Sequence, residues 1–369
     1  MQHSFVIQCK LGLESVLAKE IRDLGYSNIS VLNGEIEIKG DEVCLARLSI
    51  WLRTAERILL KMVSFIADNF DTLFNGASSP DWGEFLPKDA KIRIFPKCIN
   101  SKLMSGRSVQ SIVQKAIVER MKQKYKINWM PETGEGYKIH VDIIKDKAVI
   151  SLDSSGAGLH KRGYRAQAGE APLRETIAAA MVLLSNWKPE TPLFDPFCGS
   201  GTIPIEAAMI GANIAPGIKR FFDAENWHFI SKKVWADARK EALSLIKPGQ
   251  FKVYGSDIDP SMIALAKKNA KKAGIDEYTE FSVKDFESFV MSGDRGMIIT
   301  NPPYGERLED ISYAEQIIKV MRKVLPLKRQ WSYFILSPHP DFEKLFGRKA
   351  TKNRKLYNGK IKCYLRSYL

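Results

Sequence analysis

No stretch of eighteen consecutive apolar residues occurs in this chain of 369 residues, so no membrane-spanning helix is expected. Its start, Met1 to Ile7, lacks a basic segment leading into a long apolar run, so no secretory signal is expected either. Cysteine is sparse and scattered (Cys9, Cys44, Cys98, Cys198, Cys363), with no CxxC pair. That argues against a disulfide framework and against a zinc site, so no metal is expected, and it suits a reduced, cytoplasmic compartment. No Ser/His/Asp or Cys/His constellation stands out. What the chain has in excess is positive charge: 56 Lys and Arg against 42 Asp and Glu, a formal net charge of +14. Such a surplus suits a polyanionic partner, most simply nucleic acid.

The chain reads as α/β throughout. Over residues 1–67 an apolar strand (His3 to Lys10) precedes a helix whose Leu13, Val16, Leu17 and Ile21 keep helical spacing. Two short strands then flank Asn33-Gly34, a hairpin turn signal. Asp41 caps a second helix, and Arg57 to Ile66 is a further strand. This β-α-β-β-α-β order is ferredoxin-like and carries no catalytic constellation. Over residues 68–155 the clearest element is a helix from Gly106 to Tyr125. Val109, Ile112, Val113, Ala116, Ile117 and Met121 make its apolar face. Arg107, Lys115, Lys122, Lys124 and Lys126 line the rest, a nucleic-acid docking face in so basic a chain. Residues 156–170 form a linker containing Gly158-Leu159-His160-Lys161-Arg162-Gly163-Tyr164-Arg165. Its glycines allow bending, its cations can meet phosphates, and Tyr164 offers a stacking ring. Arg162, Tyr164 and Arg165 are therefore candidate substrate contacts.

The chemistry lies in residues 171–369. A helix opening around Pro172 leads into strands alternating with helices, which implies a parallel sheet. The first strand ends in Asp195-Pro196-Phe197-Cys198-Gly199-Ser200-Gly201-Thr202 and runs into a helix. Glycines there permit positive φ and a close ligand approach, and the helix points free N–H groups at the turn. The next strands end at Asp257-Ile258-Asp259, at Asp285 and at Asn301, so the polar candidates sit at carboxyl ends, where ligands bind in open α/β sheets. A nicotinamide dinucleotide would need a third glycine where Pro204 stands, and an acid about twenty residues on. Asp257 instead lies 56 residues past Gly201. No Gly-Lys-Ser/Thr follows the turn, which excludes a Walker loop. Asp195 at the head of the turn repels phosphate and suits a cationic ligand. S-adenosyl-L-methionine, with its sulfonium, ammonium and ribose, fits these positions.

Asn301-Pro302-Pro303-Tyr304 supplies the reaction. An exocyclic base amine is a poor nucleophile because its lone pair is delocalised into the ring. Methylating it requires its hydrogens to be held, and the Asn301 side-chain oxygen and the Pro302 carbonyl can each accept one. Proline rigidity fixes that carbonyl, and Tyr304 can stack on a flipped base. Much of the rate would then come from orientation. Two further stretches carry signal. Residues 211–235, with Lys219-Arg220-Phe221-Phe222 and Trp227-His228-Phe229, read either as an aromatic cover over the sheet edge or as part of the pocket rim. At the end, Asn358-Gly359 turns a hairpin rich in basic residues (Lys349, Lys352, Arg354, Lys355, Lys360, Lys362, Arg366), a candidate RNA-backbone track.

These motifs carry a family resemblance. Residues 68–155, with the Ser-Gly-Arg-Ser-Val-Gln start of their long helix, resemble a THUMP domain, an RNA-binding module. The linker around Gly158 to Arg165 resembles the segment that joins such modules to a methyltransferase domain. Residues 171–369 resemble the class I, S-adenosyl-L-methionine-dependent N-methyltransferases on Asp195 to Thr202 and Asn301 to Tyr304. That resemblance implies a Rossmann-like domain with a mostly parallel seven-stranded sheet closed by an antiparallel C-terminal hairpin. It implies that Asp195, Gly199 and Gly201 shape the methionine pocket, that Asp257 holds the ribose, and that Asp285 holds the adenine amine. Pro196, Cys198, Thr202 and Asp259 join them as candidate cofactor contacts. Asn301, Pro302, Pro303 and Tyr304 are the candidate catalytic residues. The continuation Gly305-Glu306-Arg307-Leu308 is similar to the bacterial branch that fuses THUMP to this domain, and adds Arg307 as a candidate substrate contact. That branch is similar to enzymes making N2-methylguanosine in 23S ribosomal RNA. The alternatives are a tRNA guanosine N2-methyltransferase, an adenine-N6 methylase acting on DNA, or a non-catalytic RNA-binding or ribosome-assembly protein.

Overall fold

The computed structural model describes residues 2–165, 173–291, 293–304, 308–326 and 328–369. Arg307, the end of the linker (166–170) and the helix start at Pro172 lie outside the described residues.

The first half contains strands β1 (His3–Cys9), β2 (Ile29–Leu32), β3 (Glu35–Gly40), β4 (Ala55–Ile66), β5 (Lys91–Ile99), β6 (Gly136–Ile144) and β7 (Lys147–Asp153). Helices α1 (Glu14–Asp23), α2 (Glu42–Trp51), α3 (Phe70–Ser78) and α4 (Gly106–Tyr125) alternate with them. The two small units expected from the sequence share one sheet of seven strands, ordered β2-β3-β1-β4-β7-β6-β5. The reason is the length of β4. Ala55 to Leu60 pair antiparallel with β1, and Leu59 to Ile66 pair antiparallel with β7. Period-2 alternation then sorts the side chains. Phe5, Ile7, Ile36, Ile38, Ile58, Ile139, Val141 and Ile150 turn to one face, where the four helices cover them in a single core. On α4 the expected stripe of Val109, Val113, Ala116, Ile117 and Met121 is buried there, while its lysines stay outside the core.

The second half contains α5 (Glu175–Ser185), β8 (Leu193–Asp195), α6 (Thr202–Gly211), α7 (Lys232–Ser244), β9 (Val253–Asp257) and α8 (Pro260–Ala273). There follow β10 (Thr279–Val283), β11 (Gly296–Thr300), α9 (Leu308–Val324), β12 (Trp331–Ser337), α10 (Phe342–Phe346), β13 (Lys352–Asn358) and β14 (Ile361–Tyr368). Local chemistry sets the boundaries. On α8, Asp259 caps the start, Pro260 occupies the first turn and Gly274 ends the helix in the left-handed region. The sheet order is β10-β9-β8-β11-β12-β14-β13. Pairs from β10 through β12 are parallel, and β14 runs antiparallel to both β12 and β13. Helices α5, α6 and α8 cover one face and α9 and α10 the other. This is a Rossmann-like sheet closed by an antiparallel hairpin. No described helix is long and apolar enough to cross a membrane.

The segment 211–235 is neither an edge cover nor a pocket rim. Phe222, Trp227 and Trp235 are buried in the core of the first half. Phe222 and Trp235 stack with centroids 5.4 Å apart, and Phe229 meets Phe85 edge-on at 5.2 Å. Fully burying such side chains contributes about 2 kcal/mol or more each. Gly217 donates its N–H to the Ile50 carbonyl at 2.9 Å, so close that a Cβ there would lie 2.7 Å from the Ser49 oxygen. The segment, with α7 packed on α2, clamps the N-terminal sheet to the second half.

The linker is part of the same clamp, which corrects its reading as an RNA contact. Arg162 and Tyr164 are 5% and 4% exposed and leave no face for a polyanion. Arg162 pairs with Glu206 of α6 and donates to the Leu159 and Arg53 carbonyls. The Tyr164 hydroxyl donates to the same Glu206 at 3.1 Å. Arg165 donates to the Leu173 carbonyl and Thr202 hydroxyl and lies 3.4 Å from Glu175. A desolvated guanidinium needs a counter-charge and acceptors, and these arginines find both inside the protein.

Candidate functional site

The carboxyl ends of β8, β9, β10 and β11 converge on a cavity of about 500 Å³. Its floor is the turn between β8 and α6. Gly199 and Gly201 have φ of +51° and +84°, a conformation L side chains rarely adopt. Gly201 faces away from the cavity and packs on Ala266 and Phe281, where a Cβ would come within 3.0 Å of Ala266. The turn is fixed from three sides: Cys198 N–H donates to the Ser256 carbonyl, Gly201 N–H to the Cys198 carbonyl, and the Asn269 amide to the Ser200 carbonyl at 3.0 Å.

The cavity wall is largely the set read from the sequence. Asp195, Pro196, Cys198, Gly199, Thr202, Asp257, Asp285, Asn301 and Pro303 all line it. Asp257 Oδ2 accepts the Gly199 N–H at 2.9 Å and Oδ1 accepts the Asp259 N–H at 3.0 Å, which aims the carboxylate across the turn. Asp285 accepts the Glu287 N–H at 2.9 Å through one oxygen and caps a short helical turn. Asp259 does not reach the cavity. Its carboxylate is engaged by the Ser261 N–H at 2.7 Å as the cap of α8.

Asp195 is 2% exposed, and its Oδ1 accepts the Thr300 hydroxyl at 2.7 Å and the Phe197 N–H at 3.2 Å. Burial pushes its carboxyl up to about 7, against the pull of those two hydrogen bonds, and the Asp257 charge adds to the push. A carboxylate held so far from its ordinary range, in a cavity, is a strong functional marker.

The tetrapeptide after β11 departs from its sequence reading in one respect. Asn301 and Pro303 face the cavity, but Pro302 is buried and Tyr304 is off the cavity wall. The Tyr304 hydroxyl donates to Asn301 Oδ1, and Cys363 Sγ on β14 lies 3.8 Å from that hydroxyl. The hydroxyl contact is placed to orient Asn301, while the ring packs on the core beside Cys363. Its phenol is held well above the ordinary range by burial, with Cys363 adding to the effect.

Several lining residues carry no signal in the sequence. Ile258, Met262, Leu265 and Phe286 make an apolar wall beside Asp257 and Asp285, the Phe286 ring tilted against that of Phe197 with centroids 4.5 Å apart. Lys284, Tyr313 and Ile317 complete the rim. Thr300, which is buried behind the wall and donates to Asp195, has a usable signal as the residue directly before the Asn-Pro-Pro-Tyr run.

Known proteins are similar to this chain over each of its parts. Residues 162–367 match the model of an RMKL-like methyltransferase domain, residues 67–153 that of a THUMP domain, and residues 4–59 that of an RlmL ferredoxin-like domain. The chain is similar to YpsC of Bacillus subtilis (strain 168), named as a candidate RNA methyltransferase, at 45% identity over 98% of this chain and 94% of that one. It is similar to the ribosomal RNA large subunit methyltransferase K/L of Photobacterium profundum at 36% identity over 97% of this chain, and spans 52% of that relative's length. Among solved structures, SMU.472, described as a methyltransferase and complexed with SAH, superposes with a TM-score of 0.93 at 38% identity, covering 100% of this chain and 98% of that one.

Proposed function

This chain belongs to the RMKL-like methyltransferases with a THUMP domain, its cofactor is S-adenosyl-L-methionine, and we propose that it methylates the exocyclic N2 amine of a guanosine in 23S ribosomal RNA. The observation that carries the reading is Asn301. It lines the cavity at the end of β11, across from a glycine turn and three carboxylates suited to a cationic nucleoside. The large-subunit rRNA methyltransferase name of the K/L relative and the net charge of +14 support RNA as the substrate.

The cavity fits the cofactor. Asp195 offers a buried anion to the ammonium group, Asp257 accepts from the ribose hydroxyls, and Asp285 takes the adenine amine with Ile258, Met262 and Phe286 around the ring. When bound, the cofactor supplies an electrophilic methyl group on a sulfonium. The protein's part is orientation. Asn301 Oδ1 has two lone pairs; the Tyr304 hydroxyl occupies one and leaves the other for an amine hydrogen. Holding an amine hydrogen there turns the nitrogen lone pair toward the methyl group; the Pro302 carbonyl, read from the sequence as the second acceptor, belongs to a buried residue that is not on the cavity wall. Holding the nucleophile in line removes much of the entropic barrier without a strong base.

The reading is tested by mass spectrometry of rRNA and tRNA nucleosides from a strain lacking the gene. Loss of N2-methylguanosine from 23S rRNA is the expected result. Loss from tRNA, or an unchanged RNA profile with altered adenine methylation in DNA, overturns it.

The position of Asp195 gives the site a pH dependence. An unfolded Asp ionises near about 4; in the ligand-free fold this one does so near 7. The folded chain therefore holds an extra proton between those values. The Asp195 contribution to stability is fully present below about 4 and is lost as pH rises through 7. A bound cation needs the ionised form, so affinity moves the other way. Calorimetric titration with S-adenosyl-L-methionine is expected to give about tenfold weaker binding at pH 6 than at pH 8. A flat profile, or one that Asp195→Asn leaves unaltered, removes Asp195 from the ammonium-facing role.

A further inference from the structure

The hairpin of β13 and β14 stands taller than the sheet it closes. Ser337, the last residue of β12, pairs with Tyr364, so Ile361 to Cys363 and the Asn358-Gly359 turn project beyond the carboxyl edge of the sheet. That is the edge where the cavity opens. One face of the projecting tip is committed to the protein. Leu356 and Cys363 are buried against the catalytic core, and Tyr304 packs on the same core beside Cys363.

The other face carries four side chains in a checkerboard. Antiparallel register sets Lys355 opposite Tyr364 and Tyr357 opposite Lys362. Directly opposed residues share a face with Cβ atoms about 5 Å apart, so the four form one continuous patch. Lys355 Nζ lies 5.5 Å from the centre of the Tyr357 ring, and Lys362 Nζ lies 5.5 Å from that of Tyr364. Both lysines are exposed and both rings are half-buried. From Arg348 to the last residue there is no Asp or Glu, and no ion pair among the described residues engages Lys355 or Lys362. Uncompensated cations alternating with aromatic rings on a rigid two-stranded scaffold meet the requirements of single-stranded nucleic-acid binding. Bases stack on the rings and phosphates neutralise the lysines. A duplex hides its base faces and meets only the lysines.

We propose that the Lys355, Tyr357, Lys362 and Tyr364 face of the hairpin tip binds unpaired nucleotides flanking the methylated base. The proposal rests on the RNA reading above and adds what that reading lacks, a place that recognises single-stranded substrate. The opposite face of the hairpin is joined to the catalytic tetrapeptide through Cys363 and Tyr304, so the patch belongs to the same rigid unit as the tetrapeptide and projects past the same carboxyl edge.

The test compares the full chain with three double variants: Tyr357→Ala/Tyr364→Ala, Tyr357→Phe/Tyr364→Phe and Lys355→Ala/Lys362→Ala. Affinity is read by fluorescence anisotropy with a labelled single-stranded oligoribonucleotide and with the same sequence as a duplex, over a range of salt. The alanine pair at the tyrosines is expected to lose about 10- to 100-fold on the single strand and less than about twofold on the duplex, with the phenylalanine pair restoring binding. The lysine pair is expected to weaken both probes and to lower the single-strand salt slope by about 1.4. Unchanged cofactor binding by calorimetry certifies the fold of each variant. The proposal is overturned if the tyrosine-to-alanine pair binds the single strand as the parent does, or loses the duplex equally. It stands, and the substrate reading falls, if the patch variants lose single-strand binding in a protein that methylates no RNA.

Discussion

Replacing Asn301 with alanine is expected to lower kcat for methyl transfer about a thousandfold while changing cofactor affinity less than about twofold. The split follows from geometry. Asn301 lines the cavity at the end of β11, whereas the cofactor's candidate anchors sit on the turn after β8 and at the ends of β9 and β10. Losing Asn301 Oδ1 removes the acceptor that holds one amine hydrogen, a contact useful only when the nucleophile is in line. Tyr304 separates two accounts of the same loop. If its hydroxyl fixes Asn301, Tyr304→Phe should lose about tenfold or more in kcat, the effect of one positioning hydrogen bond. If its ring stacks on the base, Tyr304→Phe should be nearly silent and Tyr304→Ala severe. Single-turnover assays on both variants decide between them, and full activity in Asn301→Ala would end the amine-clamp account altogether.

A second large effect is expected outside the cavity, one turn along α6 from its wall. Glu206→Gln should destabilise the fold by about 3–5 kcal/mol, the usual cost of breaking one partner out of a buried ion pair. Glu206 is 0% exposed and is the carboxylate facing Arg162, Tyr164 and, at longer range, Arg53. Burial already strains Arg53, bringing its pKa down to about 10 despite Glu206 and Glu20. Without Glu206, Arg162 loses the carboxylate paired with it and Arg53 keeps only the more modest help of Glu20. Urea unfolding of the full chain measures the loss. A Glu206→Gln protein within about 1 kcal/mol of the parent would mean that the backbone carbonyls alone satisfy these arginines.

The catalytic half is legible in the sequence because its signals are local. A glycine turn after an apolar strand, acids at successive strand ends and an Asn-Pro-Pro-Tyr run need no tertiary information, and the structure brings them to one cavity. The linker misleads for the opposite reason. A cation-rich, glycine-bearing stretch looks like a phosphate contact until its partners are known, and those of Arg162 lie at Arg53 and Glu206, distant in the chain. Residues 211–235 hide their role in the same way: the aromatic content is visible, but not that α2 and β1 supply the surface it packs on. Asp259 misleads because an acid after a strand and an acid before a helix occupy the same place in the chain, and only geometry shows that the cap takes it. The Tyr304 orientation turns on Cys363, a contact 59 residues away.

The strand β4 has a consequence for how this architecture can be taken apart. Because its first half zips to β1 and its second to β7, neither N-terminal module has a sheet complete without the other. A cut between them would leave two edges of unpaired backbone amides and carbonyls, the template for aggregation. The pair should open and close as one cooperative foldon. The boundary between the two N-terminal modules is thus a line in the sequence across which the molecule has no seam.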